Sequence, residues 1–278
     1  MSDTTQPDSV FQVRRPTAGT LPLLVSIPHT GTRVTESVRR RFASKVMAGL
    51  PMTDWHLHEL YAFLPALGVT TISARYSRFV VDLNRAPDAR PLYPGRFETG
   101  LVPLETFDGE PVFDRPPTAG EIEQRRVEFH APYHQQLQTL LDEIRGRFGG
   151  VILVDAHSVA SAANRLHGAL EKDICLGDRD GATCSDWLRQ CLCDAFIQAG
   201  FQVSVNAPYK GGYITDHYGR QEDVEAIQIE MCQRVYMDEA DPAGAVGEPR
   251  FAQAATRLQA VFETLAALAA RRFLNRPA

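Results

Sequence analysis

The sequence predicts one α/β domain with a mixed, mostly parallel sheet flanked by helices. Three observations carry that expectation. Short aliphatic runs at 21–27, 69–74 and 151–154 alternate with longer segments of helical period. The run Val151-Ile152-Leu153-Val154 is apolar at every position, as in a strand buried on both faces in the middle of a parallel sheet. No composition break or internal repeat divides the chain, so residues 1–20 read as an N-terminal tail and 21–278 as a single domain.

Each element has a local reason. A short strand fits 10–13. The strand at 21–27 runs into Pro28-His29-Thr30-Gly31, where proline ends the strand and glycine permits a tight turn, so His29 sits at a strand end. Thr35 suits the N-cap of a helix to about 48. Thr53 suits that of a second helix to about 67, with Leu57, Leu60, Tyr61 and Leu64 at helical spacing and Asp54 in its first turn. Strands follow at 69–74 and 79–83, the second ending in Asp82-Leu83-Asn84-Arg85. A loop at 86–118 carries seven of the 18 prolines together with Tyr93, Phe97, Phe107 and Phe113. A loop of that length is uncommon unless it serves as a lid or a binding loop.

Thr118-Ala119-Gly120-Glu121 is a capping box that opens a long amphipathic segment to about 148, kinked at Pro132. After the central strand come a strand at 173–176, a helix at 183–199 stopped by Gly200, and a strand at 201–205. A glycine-rich loop spans 208–219. In the strand at 226–231, Ile227 and Ile229 face one way and Gln228 and Glu230 the other. A loop at 238–249 leads to an alanine-rich helix to about 273.

The totals exclude several classes. There are 34 acidic and 29 basic side chains, giving a net charge of −5, which argues against a nucleic-acid partner. The five cysteines form no Cys-x-x-Cys pair, so neither a disulfide framework nor a zinc–thiolate site is expected. No apolar run approaches a membrane span, and the polar start Met1-Ser2-Asp3-Thr4 does not read as a secretory signal. A cytoplasmic protein without a membrane partner is the expectation. No nucleotide-binding fingerprint or Gly-x-Ser-x-Gly elbow is present.

Chemistry concentrates at strand ends. Asp155 and His157 close the central strand and point to the same side. Open α/β sheets bind ligands at the carboxyl ends of their strands. His29, Asp54 and His157 together make a sufficient shell for a catalytic zinc, although each alone has an ordinary structural explanation. Glu230 lies in an apolar strand, where burial would raise its pKa and suit it to general-base work. Arg75, Arg78 and Arg85 bracket two strands and could bind carboxylates. His130-Ala131-Pro132-Tyr133-His134 superficially resembles a metalloprotease helix, but Ala131 stands where glutamate is needed and Pro132 distorts the helix.

Taken together, Ser26-Ile27-Pro28-His29-Thr30-Gly31, Thr53-Asp54, Ser77-Arg78, Val81-Asp82-Leu83-Asn84-Arg85, Asp155-Ala156-His157-Ser158, Lys210-Gly211-Gly212-Tyr213 and Gln228-Ile229-Glu230 resemble the N-formylglutamate amidohydrolase (N-formylglutamate deformylase) family. The match runs in order through nearly the whole chain. It implies a zinc-carboxypeptidase-like fold and hydrolysis of N-formyl-L-glutamate to formate and L-glutamate in histidine degradation. It also implies Zn²⁺ or another divalent metal, and a small dicarboxylate as substrate.

Carried over by residue, His29 and His157 are the imidazole ligands and Asp54 is the carboxylate ligand. Asp54 replaces the glutamate of a His-x-x-Glu motif, which is absent because Thr32 holds that place. Glu230 resembles the catalytic glutamate. Asn84 and Arg85 resemble a pair that holds a substrate carboxylate, joined by Gly212 and Tyr213. Arg78 serves either a carboxylate or the oxyanion. Asp155 keeps two readings, partner of a ligating imidazole or ligand in place of Asp54. The alternatives are a metal-dependent deacylase of another N-acyl amino acid or peptide, and a non-catalytic small-ligand binding protein of this fold.

Overall fold

The computed structural model describes residues 9–17, 19–91, 95 and 97–274; Tyr93 of the proline-rich loop lies outside them. The strands are β1 (Phe11–Arg14), β2 (Leu23–Ile27), β3 (Thr70–Ala74), β4 (Val151–Val159), β5 (Ile174–Gly177), β6 (Val203–Val205) and β7 (Val224–Cys232). Among the described residues they form one sheet in the order β1-β3-β2-β4-β7-β5-β6. The four central strands β3, β2, β4 and β7 run parallel. β1 pairs antiparallel with β3, and β5 antiparallel with β7. The mixed, mostly parallel sheet is therefore as expected. β1 draws part of the expected tail at 1–20 into the sheet.

The helices are α1 (Glu36–Arg39), α2 (Leu57–Leu60), α3 (Ala119–Arg125), α4 (Ala131–Phe148), α5 (Asp186–Gln198), α6 (Tyr213–Tyr218) and α7 (Pro249–Leu274). Two layers cover the sheet. Ile152, Val154, Ile227 and Ile229 pack with α5 and α7 through residues such as Leu192 and Phe262. Leu24, Val151, Leu153 and Ala226 pack with α4 and α6 through Tyr133, Leu137 and Ile214. This is why the central strands carry no polar alternation: both faces are dry. Towards its carboxyl end β4 becomes polar, and Asp155 and His157 share the face covered by α4 and α6. Among the described residues, no helix is long and apolar enough to cross a membrane.

Several local expectations fail for identifiable reasons. The helix expected at 35–48 shrinks to α1 and a 3₁₀ turn at Val46–Gly49. Thr35 is at the N-cap of α1, but its hydroxyl meets Ser37 and makes no capping bond, and Phe42 leaves the helix to bridge to Phe113. The helix expected at 53–67 is reduced to α2 and the 3₁₀ turn Leu64–Leu67. Thr53 donates back to Leu50 O, and His56 adopts a left-handed conformation at φ 55° that no helix tolerates. Asp54 is thus in a loop ahead of α2 rather than in a first helical turn.

The apolar run at 79–83 is buried but is not a strand. Phe79 and Val80 belong to a separate cluster with Val112 and Phe113, beneath the proline-rich loop. The glycine-rich loop at 208–219 contains α6. The capping box of Thr118 and Glu121 is formed. A π-helical turn at Arg126–His130 separates α3 from α4, and Pro132 falls in the first turn of α4, where its missing N–H costs little.

Close packing beside the strand ends has a testable consequence. A Cβ on Gly31 would overlap Tyr76 O and lie 2.6 Å from Arg75 C, both main-chain atoms. Main chain cannot swing aside as a side chain can. Gly31→Ala is expected to cost about 1–3 kcal/mol, read as a fall in Tm on the order of 2–10 °C. An unchanged melting curve would show that this approach is not tight.

Candidate active site

β2 and β4 are neighbours, and the chain leaves β2 for β3 on the opposite side. Their carboxyl ends therefore flank the crevice that such a switch in strand order creates. His29 lies just past β2. His157 lies near the end of β4, and its register partner on β7 is Glu230. Asp54 arrives from the loop before α2 and is tied in place twice. Its N–H donates to His29 O at 3.1 Å, and its Oδ2 accepts the Ser158 N–H at 3.1 Å.

The three side chains converge. His29 Nδ1 is 3.1 Å from His157 Nδ1. Asp54 Oδ2 is 3.2 Å from His157 Nδ1 and 3.9 Å from His29 Nδ1. All three residues are buried. Each imidazole is fixed from behind by another carboxylate. His29 Nε2 donates to Asp82 Oδ1 at 2.7 Å, and His157 Nε2 lies 3.1 Å from Asp155 Oδ1. Asp155 Oδ2 accepts from Asn84 Nδ2 and Thr215 Oγ1. Asp54 is thus on the side where the Nδ1 atoms meet, and Asp155 is behind His157.

Electrostatics favour a cation at the meeting point. Burial, helped by Arg78, pushes the His29 pKa down to about 4, so its imidazole is neutral, the form that ligates metals. With its Nε2–H given to Asp82, the Nδ1 lone pair faces the cluster. Burial opposes a charge on His157, but Asp155 and Asp54 outweigh it and hold its pKa well above the usual value. Asp82 stays ionised against burial because Arg78, His29 and Arg85 surround it. Three buried carboxylates surround the two imidazoles, with Arg78 offsetting part of their charge, so the meeting point attracts a cation. The donor set His29, Asp54 and His157, all within 4.8 Å of one another, could hold a divalent metal.

Around this cluster is a cavity of about 110 Å³. Its walls include Arg78, Asn84, Arg85, Gly212, Gln228 and Glu230. Burial pushes Glu230 up to about 8. Gln228 Nε2 donates to Glu230 Oε2 at 2.9 Å, while Gln228 Oε1 accepts the Gly212 N–H at 2.7 Å. Gly212 tolerates no side chain because a Cβ there would overlap the Asn84 amide. Arg78 Nη2 sits 2.9 Å from His29 Nδ1 and 3.1 Å from Asp82 Oδ2. Its Nε and the hydroxyl of Tyr209, another wall residue, are buried without a hydrogen-bond partner among the described residues.

Three of the sequence candidates for substrate binding have partners within the protein. Tyr213 is absent from the described wall; as the first residue of α6 it stacks on His217, with ring centroids 5.0 Å apart. Asn84 reaches the cavity, but its amide is engaged inside the protein. Nδ2 meets Asp155 and His157, and Oδ1 accepts the Ile214 N–H. Arg85 also has internal partners, Thr99 O, Thr99 Oγ1 and Asn84 O.

The histidine pair on α4 has a structural use. His130 Nε2 donates to Arg85 O and His134 Nε2 to Leu83 O, each at 2.9 Å. Burial keeps both imidazoles neutral, and the rings stack with centroids 4.1 Å apart. They clamp the main chain on either side of Asn84. His58 Nδ1 meets Thr30 Oγ1 at 2.7 Å.

Sequence reasoning missed the parts played by Asp82, Gln228 and Tyr209. Gln228 was accessible in principle, because residues two apart on a strand share a face. Asp82 was hidden by the apolar run around it.

Comparisons with known proteins agree with this geometry. A family model described as N-formylglutamate amidohydrolase matches residues 21–237. An N-formylglutamate deformylase of Pseudomonas putida is 40% identical over 81% of this chain and 85% of its own length. One from Pseudomonas aeruginosa is 40% identical over 84% of this chain and 88% of its own. The crystal structure of N-formylglutamate amidohydrolase from Ralstonia eutropha JMP134 superposes with a TM-score of 0.81 at 27% identity, covering 94% of this chain and 98% of that one. With its fold, its buried two-histidine, one-aspartate cluster and these matches, the chain belongs to the N-formylglutamate amidohydrolase family.

Proposed function

We propose that this protein hydrolyses N-formyl-L-glutamate to formate and L-glutamate, a step suited to histidine degradation in the cytoplasm. The observation that carries the reading is a buried carboxylate, Glu230, beside the His29–Asp54–His157 cluster, in a cavity walled by Arg78 and Arg85. The names of the two Pseudomonas relatives support the choice of substrate. Direct assay of formate release from N-formylglutamate, with elemental analysis of the same sample, tests it.

His29, Asp54 and His157 would hold the metal, with Asp82 and Asp155 orienting the two imidazoles. A divalent ion such as zinc supplies a Lewis acid that polarises a carbonyl and lowers the pKa of water to roughly 7. Glu230 acts as the general base. It removes a proton from the water that attacks the formyl carbon, then delivers that proton to the amide nitrogen as the C–N bond breaks. Its raised pKa suits both halves of that cycle near neutral pH. Gln228 aims the Glu230 carboxylate.

The unpartnered Arg78 Nε–H and Tyr209 O–H are donors already desolvated, available to a carbonyl oxygen or carboxylate of the substrate without first breaking a protein hydrogen bond. Arg85 gives the cavity a second positive charge for a dianionic substrate. Net charge is −5 for the chain, so attraction of a dianion depends on this local concentration of cations.

Three outcomes follow. Glu230→Gln should retain bound metal and lose about 10²–10⁴-fold in kcat; near-normal turnover would remove Glu230 from the mechanism. Asp54→Ala should abolish stoichiometric metal, whereas Asp155→Ala should weaken affinity by about 10–100-fold. Metal content of the two variants separates ligand from supporting carboxylate, and the reverse order would exchange their roles. His134→Ala should leave metal content intact and lower kcat/KM about tenfold through a lost buried hydrogen bond. His134→Gln, which restores an N–H donor, should recover part of that loss in the same assay.

A further inference from the structure

Phe107 stands between two cavities. One is the 110 Å³ cavity at the metal cluster; the other is a larger cleft of about 350 Å³. The lining they share is Phe107, Ser158 and Val159. Ser158 and Val159 belong to β4, and the Ser158 hydroxyl is bonded to Tyr236 Oη at 2.8 Å. Those two cannot move without moving the sheet. The partition that a side-chain change could remove is the Phe107 ring.

The main chain that carries that ring is braced. The ring faces the Arg78 guanidinium at 5.4 Å from its centroid. Its own segment is a closed turn, with Thr106 N–H donating to Glu110 O at 2.8 Å and Gly109 N–H to Thr106 O at 3.0 Å. Arg165 N–H fastens the tip by donating to Phe107 O at 3.0 Å, and the Arg165 side chain pairs with Glu105. The cleft beyond contains Met52, Trp55 and Ala160 and no arginine or lysine among its described lining. Asp108 and Glu239 in the same lining disfavour a carboxylate there, while Met52, Trp55 and Ala160 offer apolar contact to an uncharged chain.

The side of the cluster on which this wall lies matters. The Nε2 edge of His157 faces Asn84, next to Arg85, while its Nδ1 edge faces Asp54, which is bonded to the Ser158 N–H. Asn84, which precedes Arg85, is thus on the Nε2 side of His157, and Ser158, which lines the cavity with Phe107, is bonded to Asp54 on the Nδ1 side. On the function proposed above, on which this inference rests, the glutamate carboxylates lie towards Arg85 and the acyl carbon lies at the cluster. The acyl substituent then points at the wall. A formyl carbon carries only hydrogen there, whereas a methyl or longer chain would need the space that the Phe107 ring occupies.

We propose that Phe107 is the residue that restricts the acyl group to formyl, and that the cleft behind it is space for a short aliphatic acyl chain once the ring is removed. This gives the proline-rich loop at 86–118 a specific use: it delivers and braces an exclusion wall. Exclusion of a larger group by a fixed wall can discriminate more sharply than added attraction for the smaller one.

The test compares kcat/KM for N-formyl-, N-acetyl- and N-butyryl-L-glutamate with the metal-loaded wild type, Phe107→Ala and Phe107→Leu. The wild type should favour formyl over acetyl by at least about tenfold, with a further loss for butyryl. Phe107→Ala should compress the formyl-to-butyryl ratio by about 10–100-fold, with Phe107→Leu in between. If Phe107→Ala fails to fold by thermal melt, the Leu variant and the wild-type series still decide. A wild type that hydrolyses the butyryl and formyl compounds equally well, or folded variants that keep the wild-type ratio, overturns the wall alone. A wild type inactive on N-formylglutamate overturns the functional reading, and the wall falls with it.

Discussion

Two imidazoles meet nitrogen to nitrogen in the interior, 3.1 Å apart, with a buried carboxylate behind each. That arrangement is the constraint on which the rest of the site depends. Buried ions cost several kcal/mol each unless they are paired and hydrogen-bonded. Asp82 is held by His29 and Arg78; Asp155 is held by Asn84, Thr215 and His157; Asp54 is held by the Ser158 N–H. Several of these partners come from distant parts of the chain: His29 after β2, Asn84 from a loop, Thr215 from α6 and Ser158 from β4. Each segment that supplies one is thereby fixed in place, and the cluster organises the crevice as much as the crevice presents the cluster.

A second network extends from that centre to Glu230. The Asn84 amide contacts Asp155 and His157 and receives the N–H of Ile214 at the start of α6. Gly212, bare because that amide fills its side-chain space, gives its N–H to Gln228, and Gln228 steadies Glu230. The stacked pair His130 and His134 holds the carbonyls on either side of Asn84. The His29–Asp54–His157 cluster, Glu230 and Arg85 are therefore positioned by one continuous set of hydrogen bonds. Such preorganisation lets groups act on a substrate without rearranging first.

Much of this was legible in the chain. The central strand and its polar end could be read from four aliphatic residues followed by Asp155 and His157, because a strand buried on both faces admits polar residues only where it leaves the sheet. The alternation that exposed Glu230 to suspicion also placed Gln228 beside it. The capping box at Thr118 was readable because both of its hydrogen bonds are local. The short helices were not. Helical spacing at 57–64 is real, but His56 turns left-handed and Pro65 lacks an N–H, so tertiary packing cut the helix short. The apolar residues at 79–81 looked like a strand because a buried loop and a buried strand share one composition.

What the sequence alone determined was the sheet, the strand-end histidines, and through motif order the family. Those follow from local periodicity and from residues whose spacing along a strand fixes their direction. What only the tertiary structure decided was which groups face one another: Asp54 on the Nδ1 side and Asp155 behind, Asp82 on His29, Tyr213 turned away, and Phe107 set between two cavities. Apart from Asp155 behind His157 and Tyr213 on His217, these juxtapose residues tens of positions apart, delivered by loops whose paths no local preference specifies. They exist because burying so much charge has few solutions, and the whole chain is needed to satisfy one of them.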